Sequence, residues 1–144
     1  MTDEAGQGDG LIRELHAMMD DWKRRDVDAV LARLCDDVVY HYHVGSRPLR
    51  GKAAVRRFLE KHGGGQKEIR WRVVHHAQNG DTLLVEGVDD YVDAEGRRIR
   101  TPYMGVFEFR EGKISGWRDY LDASLISAQS TGEPTPEWLA ELVD

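Results

Sequence analysis

Residues 82–121, TLLVEGVDDYVDAEGRRIRTPYMGVFEFREGKISGWRDYL, decide the fold. Apolar and polar residues alternate through Thr82 to Val92, Ile99 to Phe109 and Ile114 to Leu121, the period-two pattern of half-buried strands. Asp93 to Gly96 and Glu111-Gly112 punctuate them as turns. Connections this short join only antiparallel neighbours, so the stretch reads as a meander. Upstream, Glu68 to Ala77 is a further strand, and Asn79-Gly80 is the tight turn that delivers it into Thr82.

Toward the N-terminus the period changes. Leu11, Leu15, Met18, Met19 and Trp22 form one apolar stripe on a helix over residues 11–24. Asp26 reads as the N-cap of a short helix, Val27 to Leu34. Val38 to Val44 is a β-branched and aromatic strand, and Gly45 to Gly51 a loop. Lys52 to His62 is a third helix, with Ala54, Val55, Phe58 and Leu59 on one side, stopped by Gly63-Gly64-Gly65. Helices come first and strands later, so the class is α+β, with the helices packed on a curved, mainly antiparallel sheet. After Leu121 a short helix to Ala128 completes a domain spanning 1–128. Residues 129–144 read as a linker, Gln129 to Pro136, followed by a short amphipathic tail with Trp138, Leu139 and Leu142.

The chain has 144 residues, 40% hydrophobic and 32% charged, which suits one folded domain and excludes a wholly disordered chain. No apolar run reaches the roughly 18 residues of a membrane helix, and the acidic, Gly-rich start is unlike a signal or transit peptide. A cytoplasmic protein with no membrane partner is expected. Net charge is −6, which argues against nucleic-acid binding. The lone cysteine, Cys35, lies in an apolar stretch and reads as a small buried hydrophobe. With no second cysteine at ligand spacing, zinc is not expected. His41 and His43 face away from Tyr40 and Tyr42 with no carboxylate in reach, so no metal site is expected there either.

The acid is unevenly placed. Residues 1–72 hold 14 Lys+Arg and 12 Asp+Glu, whereas residues 73–144 hold 6 and 14, several of them inside strands. Odd positions of the meander carry Leu83, Val85, Gly87, Asp89 and Tyr91; then Thr101, Tyr103, Gly105, Phe107 and Phe109; then Ser115, Trp117, Asp119 and Leu121. That is one apolar face, interrupted by Asp89 and Asp119. Carboxylates among aromatics are raised in pKa, and two close together titrate as a pair, which suits general acid–base chemistry. The alternative is that both point outward and pair with Arg98, Arg100 or Arg118.

The segment Gly105 to Asp122, with its Gly-Trp-Arg-Asp-Tyr stretch at 116–120, resembles the end of the limonene-1,2-epoxide hydrolase branch of the SnoaL-like, nuclear transport factor 2-like superfamily. Residues 36–41 (Asp-Asp-Val-Val-Tyr-His) and 49–55 (Leu-Arg-Gly-Lys-Ala-Ala-Val) resemble stretches common across that superfamily. Likeness spans about residues 11–126. It implies a cone-shaped, cystatin-like α+β fold with an internal pocket. It also implies that Asp119 is the base activating water, Asp89 the acid protonating an epoxide oxygen, and Tyr40 the tyrosine that holds the water. Two positions depart from the family: Gly87 stands where a bridging arginine is expected, and Tyr42 where an asparagine is expected. His75, sharing a strand face with Trp71 and Val73, is the candidate replacement for the lost cation; the alternative is a structural histidine.

These residues lead to the expectation of a cofactor-independent epoxide hydrolase or epoxide-opening cyclase. Its substrate would be a small apolar, terpenoid- or polyketide-like molecule held by Tyr42, His75, Tyr91, Thr101, Tyr103, Trp117 and Leu121. Two alternatives stand beside it: a proton transfer like that of ketosteroid isomerases and polyketide cyclases, and a ligand-binding or association module without catalysis. A homodimer is expected through the even-numbered face of the meander. There Leu84, Val88, Val92, Met104, Val106 and Tyr120 mix with Glu86, Glu108 and Arg118; the alternative is that the tail covers this face within one chain.

Overall fold

The computed structural model describes residues 2–144, with side chains described from Gly10 onward. Helix α1 (Thr2–Lys23) presents Leu15, Met18, Met19 and Trp22 to the core, as its stripe requires. Asp26 caps α2 (Val27–Ala32) by accepting the Ala29 N–H at 3.1 Å. Strands β1 (Leu34–His41) and β2 (Leu49–Arg50) precede α3 (Lys52–His62). The meander then follows as β3 (Arg72–Asn79), β4 (Thr82–Val92), β5 (Arg98–Arg110) and β6 (Lys113–Tyr120), and α4 (Ala123–Ser130) comes after it. A 3-10 turn, Glu137–Leu139, leads into α5 (Ala140–Val143).

The six strands form one sheet in the order β2-β1-β6-β5-β4-β3. The meander is antiparallel throughout, and β1 joins its free edge parallel to β6. The helices cover one face of the sheet. Phe107, Leu83, Val85 and Ile114 pack there against Leu15, Met18, Leu34, Val38 and Val55, most of them fully buried. Mixed α+β architecture with a curved sheet is therefore what the alternating pattern encodes.

Boundaries moved where tertiary pairing competed with local pattern. The second helix ends at Ala32, and β1 begins at Leu34 rather than Val38. Leu34 and Val38, four residues apart, share the buried face, and an irregularity between Leu34 and Val39 absorbs the extra residues of β1 between its two points of pairing with β6. The third strand begins at Arg72, not Glu68; before it the chain is tied to β4 by the Lys67–Val92 bridge, and Glu68 adopts φ 47°. In the Asn79-Gly80 turn, Gly80 takes φ 60°, the left-handed geometry for which glycine is suited.

The expected boundary at 128/129 falls inside α4. Gln129, read as linker, is among the most buried side chains: its amide accepts from Arg100 N and donates to Arg100 O, both at 2.9 Å, completing the backbone pairing of β5. The terminal segment docks through Leu139 and Val143, whereas Trp138 and Leu142 face solvent. Arg72 donates to the Val143 carbonyl and Arg100 pairs with Asp144, which anchors this segment to the sheet's convex face.

One buried charge cluster escaped the sequence pattern. Asp21 on α1, 4% exposed, accepts from Arg33 at 2.6 Å and from Arg24 at 2.7 Å, while Arg33 also reaches Glu14 at 3.1 Å. Removing the carboxylate leaves the Arg33 guanidinium without its shortest contact, so Asp21→Ala is expected to lower stability by about 2 kcal/mol. A urea midpoint unchanged from the parent protein would refute that.

Candidate active site

The site lies between the helices and the concave face of the sheet. Cross-strand register places it: Asp89 on β4 is opposite Thr101 on β5, and Asp119 on β6 is opposite Gly105 on β5. Both aspartates face inward. The arginines that would have held them on the outer surface are engaged elsewhere. Arg98 makes a two-pronged bond to Asp90 at 3.1 and 2.8 Å, Arg100 pairs with Asp144, and Arg118 with Glu108.

A cavity of about 320 Å³ opens in front of the two carboxyls. Tyr40, Tyr42, Tyr91, Trp117 and Leu121 line it, as expected from the strands. Residues read as parts of helices or of the strand from Glu68, but not assigned to the pocket, line it as well: Trp22 from α1, Phe58, Leu59 and His62 from α3, and Ile69 and Trp71 before β3. The signal for α3 was its Phe58–His62 spacing, one helical turn on the face that also carries Leu59. Tyr40 stacks on Trp117 with ring centroids 3.9 Å apart, and Tyr42 stacks on Phe58 at 4.6 Å. The walls are thus aromatic and the floor acidic.

Two glycines shape that floor. A Cβ at Gly105 would lie 3.3 Å from Asp119 Oδ1 and 3.0 Å from Phe107, so a larger residue would crowd the carboxyl. A Cβ at Gly87 would lie 2.6 Å from both Cζ and Oη of Tyr103. At the position where the resemblance calls for an arginine, the phenol of Tyr103 therefore occupies the space beside the glycine. Trp71 Nε1 donates to that phenol oxygen at 2.5 Å.

Burial pushes the Asp89 carboxyl up to about 7. Burial first, and then the charge of Asp89, raise Asp119 well above the usual carboxylate range; an N–H from Trp117 at 3.3 Å opposes the rise. Near neutral pH such a pair holds one proton between two carboxyls. Tyr40 is raised well above its ordinary value by burial, then by Asp119 and Asp89, and Tyr91 to about 12 by burial and Asp89. Both phenols therefore stay protonated and can donate.

Three expected pocket residues are placed differently. His75 is not in the cavity: an irregularity between Val73 and His75 in β3 turns it to the outer face, where it is exposed and its Nδ1 lies 2.9 Å from Glu86 Oε1. It supplies no cation to the aspartates. Thr101 and Tyr103 do face inward, but both are buried behind the cavity wall rather than lining it. His41 and His43 lie outside the cavity, and among the described residues no cluster of three metal-ligating side chains occurs. Cys35 is buried and unpaired, with its thiol 3.9 Å from the Arg110 carbonyl.

A curved sheet closed by helices around an internal acid–aromatic pocket defines the NTF2-like class of α+β proteins. Residues 15–117 match the family model of the SnoaL-like domain, and the chain belongs to that family. It is 32% identical over 110 residues to epoxide hydrolase EphG of Mycobacterium tuberculosis, covering 75% of this chain and 70% of that protein. The structure of an M. tuberculosis LEH-like epoxide hydrolase superposes with a TM-score of 0.74 at 28% identity, covering 85% of this chain and 90% of that one. An NTF2-like protein from Burkholderia pseudomallei superposes with a TM-score of 0.72 at 22% identity, over 83% and 98% of the two chains, a likeness of fold. Among the described residues no helix is long and apolar enough to cross a membrane.

Proposed function

We propose that this protein is a cofactor-independent epoxide hydrolase, or an epoxide-opening cyclase, acting on a small apolar terpenoid- or polyketide-like molecule. The observation that carries the reading is the pair Asp89 and Asp119, both raised in pKa, at the floor of one aromatic cavity. The similarity to epoxide hydrolases supports it. In the proposed step the pair reacts from the form whose single proton sits on Asp89, the less populated of the two because the charge of Asp89 raises Asp119. Asp119, as carboxylate, takes a proton from a water held by Tyr40. The water oxygen bonds to an epoxide carbon, the C–O bond breaks, and the departing oxygen takes the proton of Asp89. A diol leaves, and the proton gained by Asp119 returns through solvent to Asp89. In a cyclase an internal hydroxyl replaces the water. Tyr42, Tyr91, Trp117 and Leu121 select substrate shape. A panel of terpene and cyclic epoxides, followed by diol formation, tests the reading; no turnover of any member would overturn it.

A second reading rests on the neutral phenols beside the acid. With no arginine at position 87 and Tyr40 held protonated, one aspartate could move a proton α to a carbonyl while a tyrosine stabilises the oxyanion. Deuterium exchange into an enolisable ketone without epoxide turnover would favour it.

The protein is further proposed to form a homodimer through the convex face of the sheet. The C-terminal segment covers one end of that face, where Val88 is fully buried. Val74, Leu84, Met104 and Tyr120 stay 39–48% exposed and form the surface on offer. Arg118 and Glu86 are already engaged within the chain, by Glu108 and His75, so apolar contact rather than exchanged ion pairs would carry the association. Light scattering at micromolar concentration is expected to give twice the 16.4 kDa chain mass. A mass near one chain refutes it.

A further inference from the structure

The Asp89 carboxyl has no hydrogen bond to a protein group among the described residues, although it lies in the floor of the cavity among aromatic walls. Two hydroxyls on the neighbouring strand stand ready to supply one. Thr101 is directly opposite Asp89 in the β4–β5 register, is fully buried, and its Oγ1 has no partner among the described residues. Directly opposed residues have Cβ atoms only about 5 Å apart, so one χ1 rotation of the threonine is enough to aim its hydroxyl across. A buried hydroxyl left without a partner is costly, which makes its position opposite a carboxyl informative. Tyr103 is two residues further along β5, and its phenol lies on Gly87, two residues before Asp89 on the same face of β4. Its oxygen accepts from Trp71, and among the described residues that is its one hydrogen bond, so its own proton is uncommitted.

From this geometry we infer that Thr101 and Tyr103 are positioning residues for Asp89. Their hydroxyls, Tyr103 being oriented by Trp71, donate to the Asp89 carboxyl and stabilise the charge it acquires on giving up its proton. The inference rests on the acid role proposed above. Burial, followed by the charge of Asp89, keeps the Tyr103 phenol protonated, so it remains a donor through the working pH range. An arginine at this place would add a permanent charge; two hydroxyls add none. They favour the carboxylate when it forms while leaving the resting group free to hold its proton. Other titratable groups lining the cavity with Asp89 are Tyr91 on its own strand, Asp119 on β6, Tyr40 on β1, Tyr42 just after β1 and His62 on α3. Neighbouring Asp90 is held by Arg98.

The experiment compares Tyr103→Phe, Thr101→Val and Thr101→Ser with the parent protein. The Asp89 carboxyl is titrated by carbon NMR in the substrate-free protein, and kcat and KM are followed against pH with an epoxide. Loss of either donor is expected to move the Asp89 titration up by about one pH unit, the scale set by a single hydrogen bond to a charged group. The alkaline limb of the rate profile should move up with it, while plateau kcat falls about tenfold with little change in KM. Thr101→Ser, which keeps the hydroxyl, should restore the parent values and separates the effect from a packing defect. An unmoved Asp89 titration in both Tyr103→Phe and Thr101→Val overturns the inference. A displaced titration in a protein that turns over no epoxide supports the hydroxyl pair and overturns the epoxide reading alone.

Discussion

Asp89→Asn and Asp119→Asn are each expected to abolish epoxide turnover, with losses of at least about 10²–10⁴-fold, the scale of general acid–base assistance. Asparagine keeps the size of the side chain and the shape of the cavity, but it neither takes a proton from water nor delivers one to the departing oxygen. The two losses should not add, because the proposed step needs both groups in the same event: the double variant should be about as inactive as either single one. Glu86→Gln is the control. It sits on the same strand as Asp89 but on the outer face beside His75, and should leave kcat/KM unchanged. Measured rates in either aspartate variant that match the parent would remove that residue from the mechanism. A rise in KM alone would assign it to binding.

The same substitutions should make the protein more stable above neutral pH. Asp89 holds its proton to about 7 in the folded chain, against 3.8 for the ordinary group. Between those values the native state keeps a proton that the unfolded chain has lost. Stability from this group is therefore fully present at low pH, falls as pH rises through the window from about 4 to 7, and is flat beyond it. Asp119, raised well above its ordinary value, adds to the same decline. A tenfold change in proton affinity corresponds to about 1.4 kcal/mol, so Asp89 alone represents a few kcal/mol of destabilisation once it is charged. Thermal unfolding followed from about pH 5 to pH 8 should give a falling midpoint in the parent and a flatter, higher one in Asp89→Asn, by several degrees at the alkaline end. Lost activity with gained stability is characteristic of charged groups buried for chemistry. A parent melting temperature independent of pH would refute the raised titration.

Period and punctuation carried the architecture. Alternation in Thr82–Leu121 specified the strands and, up to a register irregularity between Glu108 and Phe109, the side of each residue: Asp89 and Asp119 face the cavity from odd positions, whereas beyond the irregularity Ile114 rather than Ser115 is the buried residue at the start of β6. Tyr40 and Tyr42 were singled out by the family resemblance rather than by this pattern. Where the period broke, the pattern misled. His75 is two residues from Val73, yet the irregularity between them moves it to the outer face, and nothing local marks a bulge in Val73-Val74-His75-His76. Gln129 sits in a stretch of polar residues typical of a linker, yet it is buried because its amide substitutes for a strand partner of Arg100, a contact between residues 29 apart.

Although it left the side of Asp89 and Asp119 open and read Leu49–Arg50 as loop, the sequence by itself determined the main helices and strands, their order and the α+β class. All of these follow from side-chain periodicity and from turns too short to allow other connections. Only the tertiary structure decided that Trp22, Phe58, His62 and Trp71 close the cavity, and that Tyr103 fills the space beside Gly87. It also decided that the C-terminal segment docks through Leu139 and Val143 rather than Trp138 and Leu142. The physical reason is the same in each case. A pattern of apolar spacing states that a residue will be buried, but which partner buries it depends on how separate elements pack. That packing is settled by shape and by long-range hydrogen bonds, such as Trp71 to Tyr103, between residues 32 positions apart.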